Sequence, residues 1–253
     1  MGDRQSDQDA LFVSRLEDLI VLSQNKNIVK FSHFLDERQV FIAQRLISCR
    51  KLSCCMLWGG YPEAERCQLG VFPDYLEPAS EQYPITPVTI TYKSEYELSH
   101  RDFLGALMSL QLKREAIGDI LVSPGRTIIF LLDTAQPVVL SELSQIGRVG
   151  VKICGGLEGD LPDKSVFEEL TGTVASPRLD CVVSMLTGKS RDKSAALIRS
   201  GLVLVNHQAV DEVSTLLQPS DRLTIRGYGK FIFGGETRRT KKDRLLISVQ
   251  KYV

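Results

Sequence analysis

At 253 residues the chain exceeds the commonest single-domain length, so two or three small domains are expected in place of one large core. A hydrophobic share of 43% with 25% charged residues belongs to a folded globular protein and argues against disorder. No apolar run approaches the roughly 20 residues of a membrane-spanning helix, and Met1-Gly2-Asp3-Arg4-Gln5-Ser6-Asp7 has no apolar signal core, so a cytosolic protein that avoids membranes is expected. The net charge of zero hides an asymmetry. From Ser176 to the end, 14 Lys+Arg stand against 7 Asp+Glu, which leaves 17 basic and 24 acidic residues in the first 175. A basic end behind an acidic front suggests an anionic partner for the end alone. The six cysteines include no C-x-x-C pair, and none of the three histidines stands at ligand spacing to a cysteine pair; structural thiols are expected, with no metal or other cofactor and no small-molecule substrate.

The first segment, 1–87, reads as a small mixed α/β domain. A helix is expected over Gln8–Ser23, with Leu11, Phe12, Leu16, Leu19 and Ile20 on one stripe, and a second after Asp36 with Val40, Phe41 and Leu46 inward. An apolar stretch, Cys54–Trp58, meets Gly59-Gly60-Tyr61-Pro62 as a turn; the spacing of a phosphate-binding loop is absent there.

The middle segment, 88–153, alternates two-residue and helical periods. Val88–Tyr92 reads as a strand. Ser99-His100-Arg101-Asp102 has the form of a capping box, opening a helix through Phe103, Leu107 and Leu110 to Ile117, with Gly118 as its stop. Strands Asp119–Val122 and Arg126–Leu132 flank the turn Ser123-Pro124-Gly125. A helix from Pro137 to Ile146 and a strand Val149–Ile153 follow. The order βαββαβ is that of ferredoxin-like and RNA-recognition-motif domains, so the fold class is α+β. Arg126-Thr127-Ile128-Ile129-Phe130-Leu131 lacks the glycine-aromatic series that stacks bases, which makes this sheet a packing platform before an RNA reader. The cap accounts for Ser99 and Asp102 without catalysis, since adjacency in sequence does not assemble a triad. His100 and Arg101 remain candidates for a secondary RNA or interdomain contact.

Residues 154–175, opening with the glycine-rich Cys154–Asp163 stretch, read as a linker and lead-in strand. The last domain, 176–253, begins with Pro177 at a helix start, and Leu179, Val182, Val183 and Leu186 form one buried stripe ended by Gly188. Ser190 can cap a second helix with Arg191 and Lys193 in its first turn and Arg199 in its last, before Gly201. Cations in a first turn oppose the helix dipole, which hints at an external anion. Strands Leu202–Asn206 and Arg222–Arg226 follow, and Gly227-Tyr228-Gly229-Lys230-Phe231 sets an aromatic on either side of a lysine. Lys230 and Phe231 could be a phosphate contact and a stacking ring, or Phe231 could be core.

Pro177-Arg178-Leu179-Asp180, Lys189-Ser190-Arg191 with Ser194-Ala195, Leu197-Ile198, Gly201, Val203, Val205-Asn206 and Gly227-Tyr228-Gly229-Lys230-Phe231 resemble the S-four (S4) domain, two helices packed on a small sheet. Gly59 to Arg66, Leu98 to Ala106, Lys113-Arg114, Ile117 to Ile120 and Thr240 to Arg244 are similar to stretches of the YlmH family, bacterial proteins with a recognition-motif-like middle and a C-terminal S4 domain. The resemblance implies a non-enzymatic protein that binds ribosomal RNA of the large subunit, beside transfer RNA, in quality control of stalled translation. It also implies RNA contacts by Arg178, Lys189, Ser190, Arg191, Lys193, Ser194, Arg199, Asn206, Arg226, Lys230, Phe231, Lys241 and Lys242. An RNA-modifying enzyme of the pseudouridine synthase type, which also carries an S4 domain, and a cell-division scaffold are the alternatives.

Overall fold

In the computed structural model, which describes residues 2–162, 167–240 and 244–252, the chain divides after Pro162 into two compact units. None of the described helices is long and apolar enough to cross a membrane.

The first unit opens with α1 (Gly2–Lys26), β1 (Lys30–Phe31), α2 (Glu37–Arg50), β2 (Cys55–Trp58) and β3 (Gln68–Val71), the strands forming an antiparallel sheet in the order β1-β3-β2. Asp36 caps α2 through a reciprocal pair with Gln39, whose N–H donates to the Asp36 carboxylate at 2.8 Å. Leu16, with Phe12, Leu19 and Ile20, carries α1 onto this core, whereas Leu11, read as part of the same stripe, is 55% exposed. It lies a helical step outside the i, i+4, i+7, i+8 set that the other four make.

Next come β4 (Ile85–Thr91), α3 (His100–Ser109), β5 (Ile117–Ser123), β6 (Arg126–Leu132), α4 (Gln136–Glu142), the short hairpin β7 (Gln145–Ile146) and β8 (Val149–Gly150), and β9 (Lys152–Gly155). The sheet order β5-β6-β4-β9 is that of the ferredoxin-like, RNA-recognition-motif fold. The helix expected to reach Ile117 ends at Ser109. Gln111 turns left-handed at φ 61° and its N–H folds back on Met108 O, a tightening that no residue type announces. Gly118, read as the helix stop, lies inside β5, where a Cβ would stand 2.7 Å from the Phe34 ring. The second helix likewise stops at Glu142, and the expected last strand is divided between β8 and β9.

One face of this sheet packs on α3 and α4 through Val88, Ile90, Phe103, Leu107, Ile129, Leu131 and Val139. The other is covered as well. Leu121, Ile128 and Phe130 are buried under Phe34 and Tyr61, the Tyr61 ring stacking on Phe130 at 4.9 Å between centroids. The near-continuous apolar run of β6 is the sequence counterpart of a strand buried on both faces.

The glycine-rich stretch read as linker begins on this sheet. Gly156 N–H donates to Pro87 O, Thr89 Oγ1 bonds to both Gly156 O and Glu158 N–H, and the Arg126 guanidinium donates to the carbonyls of Glu158 and Asp160.

The second unit contains β10 (Phe167–Val174), α5 (Leu179–Thr187), α6 (Arg191–Arg199), β11 (Val203–Val205), β12 (Gln208–Ala209), β13 (Arg222–Ile225), β14 (Gly229–Arg239) and β15 (Leu245–Tyr252). They form an antiparallel sheet ordered β10-β15-β14-β13-β11-β12, against which α5 and α6 pack. Leu179, Val182 and Val183 of α5 are wholly buried, as the stripe required, and Gly188 caps the helix in the left-handed region at φ 66°. Val203, Leu223, Ile225, Phe231, Phe233, Ile247 and Val249 complete the core.

Candidate RNA-binding surface

The start of α5 is closed by the loop behind it. Leu179 N–H donates to Thr215 O, Asp180 N–H to Val213 O and Leu217 N–H to Pro177 O, so backbone donors that could have met an anion are spent internally. The cationic side chains remain directed outward by one buried carboxylate. Asp180, whose side chain is 9% exposed, accepts from Arg178 Nε at 3.0 Å and pairs with Arg191 Nη2 at 3.2 Å. Burial works against its ionisation, but the hydrogen bond and charge of Arg178 and the charge of Arg191 outweigh it, holding the carboxyl below the ordinary aspartate range. The same bond raises the Arg178 pKa. Asp180 thus fixes two guanidiniums side by side, one from the residue that caps α5 and one from the first turn of α6.

Ser190 caps α6 by accepting from Lys193 N–H, and Lys189 stands with Nζ 6.0 Å from the Tyr228 ring centroid. That contact places the turn between α5 and α6 beside the turn between β13 and β14, where Arg226 and Lys230 are exposed on either side of Tyr228. Arg178, Lys189 and Arg191 therefore stand on one side of the unit, with Lys193 exposed in the same first turn of α6.

Other candidates are placed elsewhere. Arg199 is exposed at the far end of α6, about 12 Å along its axis from Arg191. Ser194 is fully buried and donates to Ser190 O at 3.1 Å, so its hydroxyl braces the helix start and cannot face a ligand. Phe231 is core, 2% exposed, because its register opposite Leu223 turns it inward. Asn206, at φ 49°, spends its amide on Asp221 Oδ1 and on Arg222 N–H, holding a turn. Lys241 and Lys242 lie outside the described residues. Arg244, not among the candidates, is exposed and donates to Thr173 O at 2.7 Å.

In the first unit, the sheet face that a recognition motif would offer to RNA is the one occupied by Tyr61 and Phe34. Beside it Asp119, 7% exposed, accepts from Tyr61 OH at 2.6 Å, Glu65 N–H at 2.8 Å and Arg66 N–H at 3.1 Å. Burial and this carboxylate push the Tyr61 pKa far up. Arg66 and Arg114 both donate to Ile117 O, and burial together with the Arg66 charge lowers the Arg114 pKa to about 10. Desolvation and the Arg114 charge also lower the His100 pKa, which favours the neutral imidazole. The family-like stretches at 59–66 and 117–120 converge on Asp119 as a structural latch. Ser99 donates to Asp102 through both N–H and Oγ, at 2.8 and 2.6 Å, so the cap consumes both groups. Arg101 lines an open cleft between α3 and the β7–β8 hairpin.

Two helices on an antiparallel sheet, with cations gathered at the helix starts, define an RNA-binding protein of the S4 class, and the S4 domain model matches residues 177–223. A second model, described as a putative RNA-binding domain in YlmH, matches residues 78–155. The chain is 32% identical over 231 residues, 90% of its length and 89% of the relative's, to the ribosome-associated protein quality control protein P2 of Bacillus subtilis (strain 168). It belongs to the YlmH family. The solved cell division protein ylmH from Streptococcus pneumoniae shares its fold over 58% of this chain and 90% of that one, at 24% identity and a TM-score of 0.50.

Proposed function

We propose that this protein binds structured ribosomal RNA on the large subunit, next to transfer RNA, and acts there in quality control of stalled translation by binding alone, in the cytoplasm. The observation that carries the reading is the pair of guanidiniums, Arg178 and Arg191, oriented by the buried Asp180 beside Lys189. Rigid, doubly donating cations on a compact face suit the regular phosphate spacing of folded RNA better than mobile lysines do. The similarity to a relative named for ribosome-associated quality control directs the proposal to the ribosome.

Sedimentation of lysate through a sucrose gradient tests it. The wild-type chain is expected to comigrate with large subunits, and the triple variant Arg178→Glu, Arg191→Glu, Lys193→Glu to remain at the top. Comigration of a folded triple variant at wild-type level would move the site elsewhere.

A further inference from the structure

Between α5 and the end of β10 the second unit contains a cavity of about 510 Å³, lined by Thr173, Val174 and Ala175 on one side and Cys181, Ser184 and Met185 on the other, with Arg191 and Arg244 at its edge. That volume lies within the range of clefts that hold small molecules. Its walls follow from local geometry. Cys181, Ser184 and Met185 share one face of α5 at i, i+3 and i+4. Met185 can lie against β10 only because position 172 is glycine, where a Cβ would come within 2.7 Å of its Cγ and Sδ. The edge is fixed as well. Arg244 Nη2 donates to Thr173 O at 2.7 Å, and Arg191 Nη2 reaches both Asp180 and Cys181 Sγ.

We propose that this cavity receives one unstacked nucleobase from a looped or bulged RNA, while Arg191 and Arg244 engage the phosphates that flank it. The proposal rests on the RNA-binding reading of this unit and adds to it a site for a base. Val174, Ala175, Cys181 and Met185 supply an apolar slot, and a polarisable thioether packs favourably on an aromatic ring. A guanidinium plane is a stacking surface for a splayed base as well as a phosphate ligand. The Ser184 hydroxyl donates to Lys189 O at 2.7 Å, so towards the cavity it is left to accept, which favours a base carrying an exocyclic amine.

Two short RNA hairpins, one with a single unpaired adenosine in its stem and one fully paired, are titrated with the full-length protein by fluorescence anisotropy. The wild type is expected to prefer the bulged hairpin by roughly tenfold, in keeping with the contribution of one stacked base. Ala175→Leu fills the cavity from an exposed position and should abolish the preference while leaving the paired hairpin bound as before. Arg244→Ala should weaken the bulged hairpin more than the paired one. Equal binding of both hairpins by the wild type, or discrimination that survives Ala175→Leu, overturns the pocket and leaves RNA binding standing. Failure to bind either hairpin overturns the RNA-binding reading and the pocket with it.

Discussion

Replacing Asp180 by alanine sets two electrostatic consequences against each other. Loss of a carboxylate makes the basic unit more positive by one charge, and counterion release alone would then tighten RNA binding. One unit charge near a hydrated phosphate contributes only about 1 kcal/mol, and physiological salt screens it over roughly 8 Å. Against this, Arg178 and Arg191 lose the group that holds them at 3.0 and 3.2 Å. Each must then be ordered on binding at about 0.5–1.5 kcal/mol, together about 1–3 kcal/mol. Ordering therefore outweighs charge, and affinity for structured RNA should fall roughly tenfold at physiological ionic strength, measured by anisotropy titration. A variant that binds as tightly as wild type, or more tightly, would refute the view that Asp180 pre-organises the pair. Its effect on folding should be smaller, about 1 kcal/mol, because the two guanidiniums are 38% and 58% exposed and can turn to water. The folded carboxyl titrates below its ordinary 3.8, so its contribution is present above that value and lost as pH falls through the folded one. The gap in melting temperature between wild type and variant should persist from neutral pH to about pH 4 and close in stronger acid.

Ser194→Ala should cost about 1 kcal/mol in urea denaturation by removing a buried hydrogen bond, yet leave RNA affinity unchanged; a loss of affinity in a stably folded variant would return Ser194 to the contact surface. Gly118→Ala drives a methyl group into the Phe34 ring and should destabilise the first unit by about 1–3 kcal/mol, read as a lower melting temperature, with no change in RNA binding. The logarithm of RNA affinity should fall linearly with the logarithm of salt concentration, and Arg191→Ala should reduce that slope by about one relative to wild type.

The sequence carried most of the second unit because its boundaries are written in residue chemistry: Ser190 can cap, Gly188 can turn left-handed, and the α5 stripe can face only one way. The errors arose where tertiary packing assigned the role. Gly118 is a glycine for the sake of Phe34, which belongs to a distant stretch of the chain, and Gln111 ends α3 without belonging to the types that favour its conformation. Ser194 and Phe231 carry groups that RNA readers use, and only their burial distinguishes brace and core from contact. Asp180 was visible as an acid near Arg178, but its second partner comes from the next helix, a juxtaposition that spacing does not encode.

The stacking of Tyr61 on Phe130 bears on where this protein can be cut. The stretch that matches the putative RNA-binding domain, 78–155, includes Leu121, Ile128 and Phe130 but neither Tyr61 nor Phe34. A fragment with those ends would expose a bare apolar sheet to solvent, a surface that promotes self-association. The 78–155 match is thus shorter than the body that buries its own sheet, and a fragment that keeps this face covered has to begin upstream of Phe34.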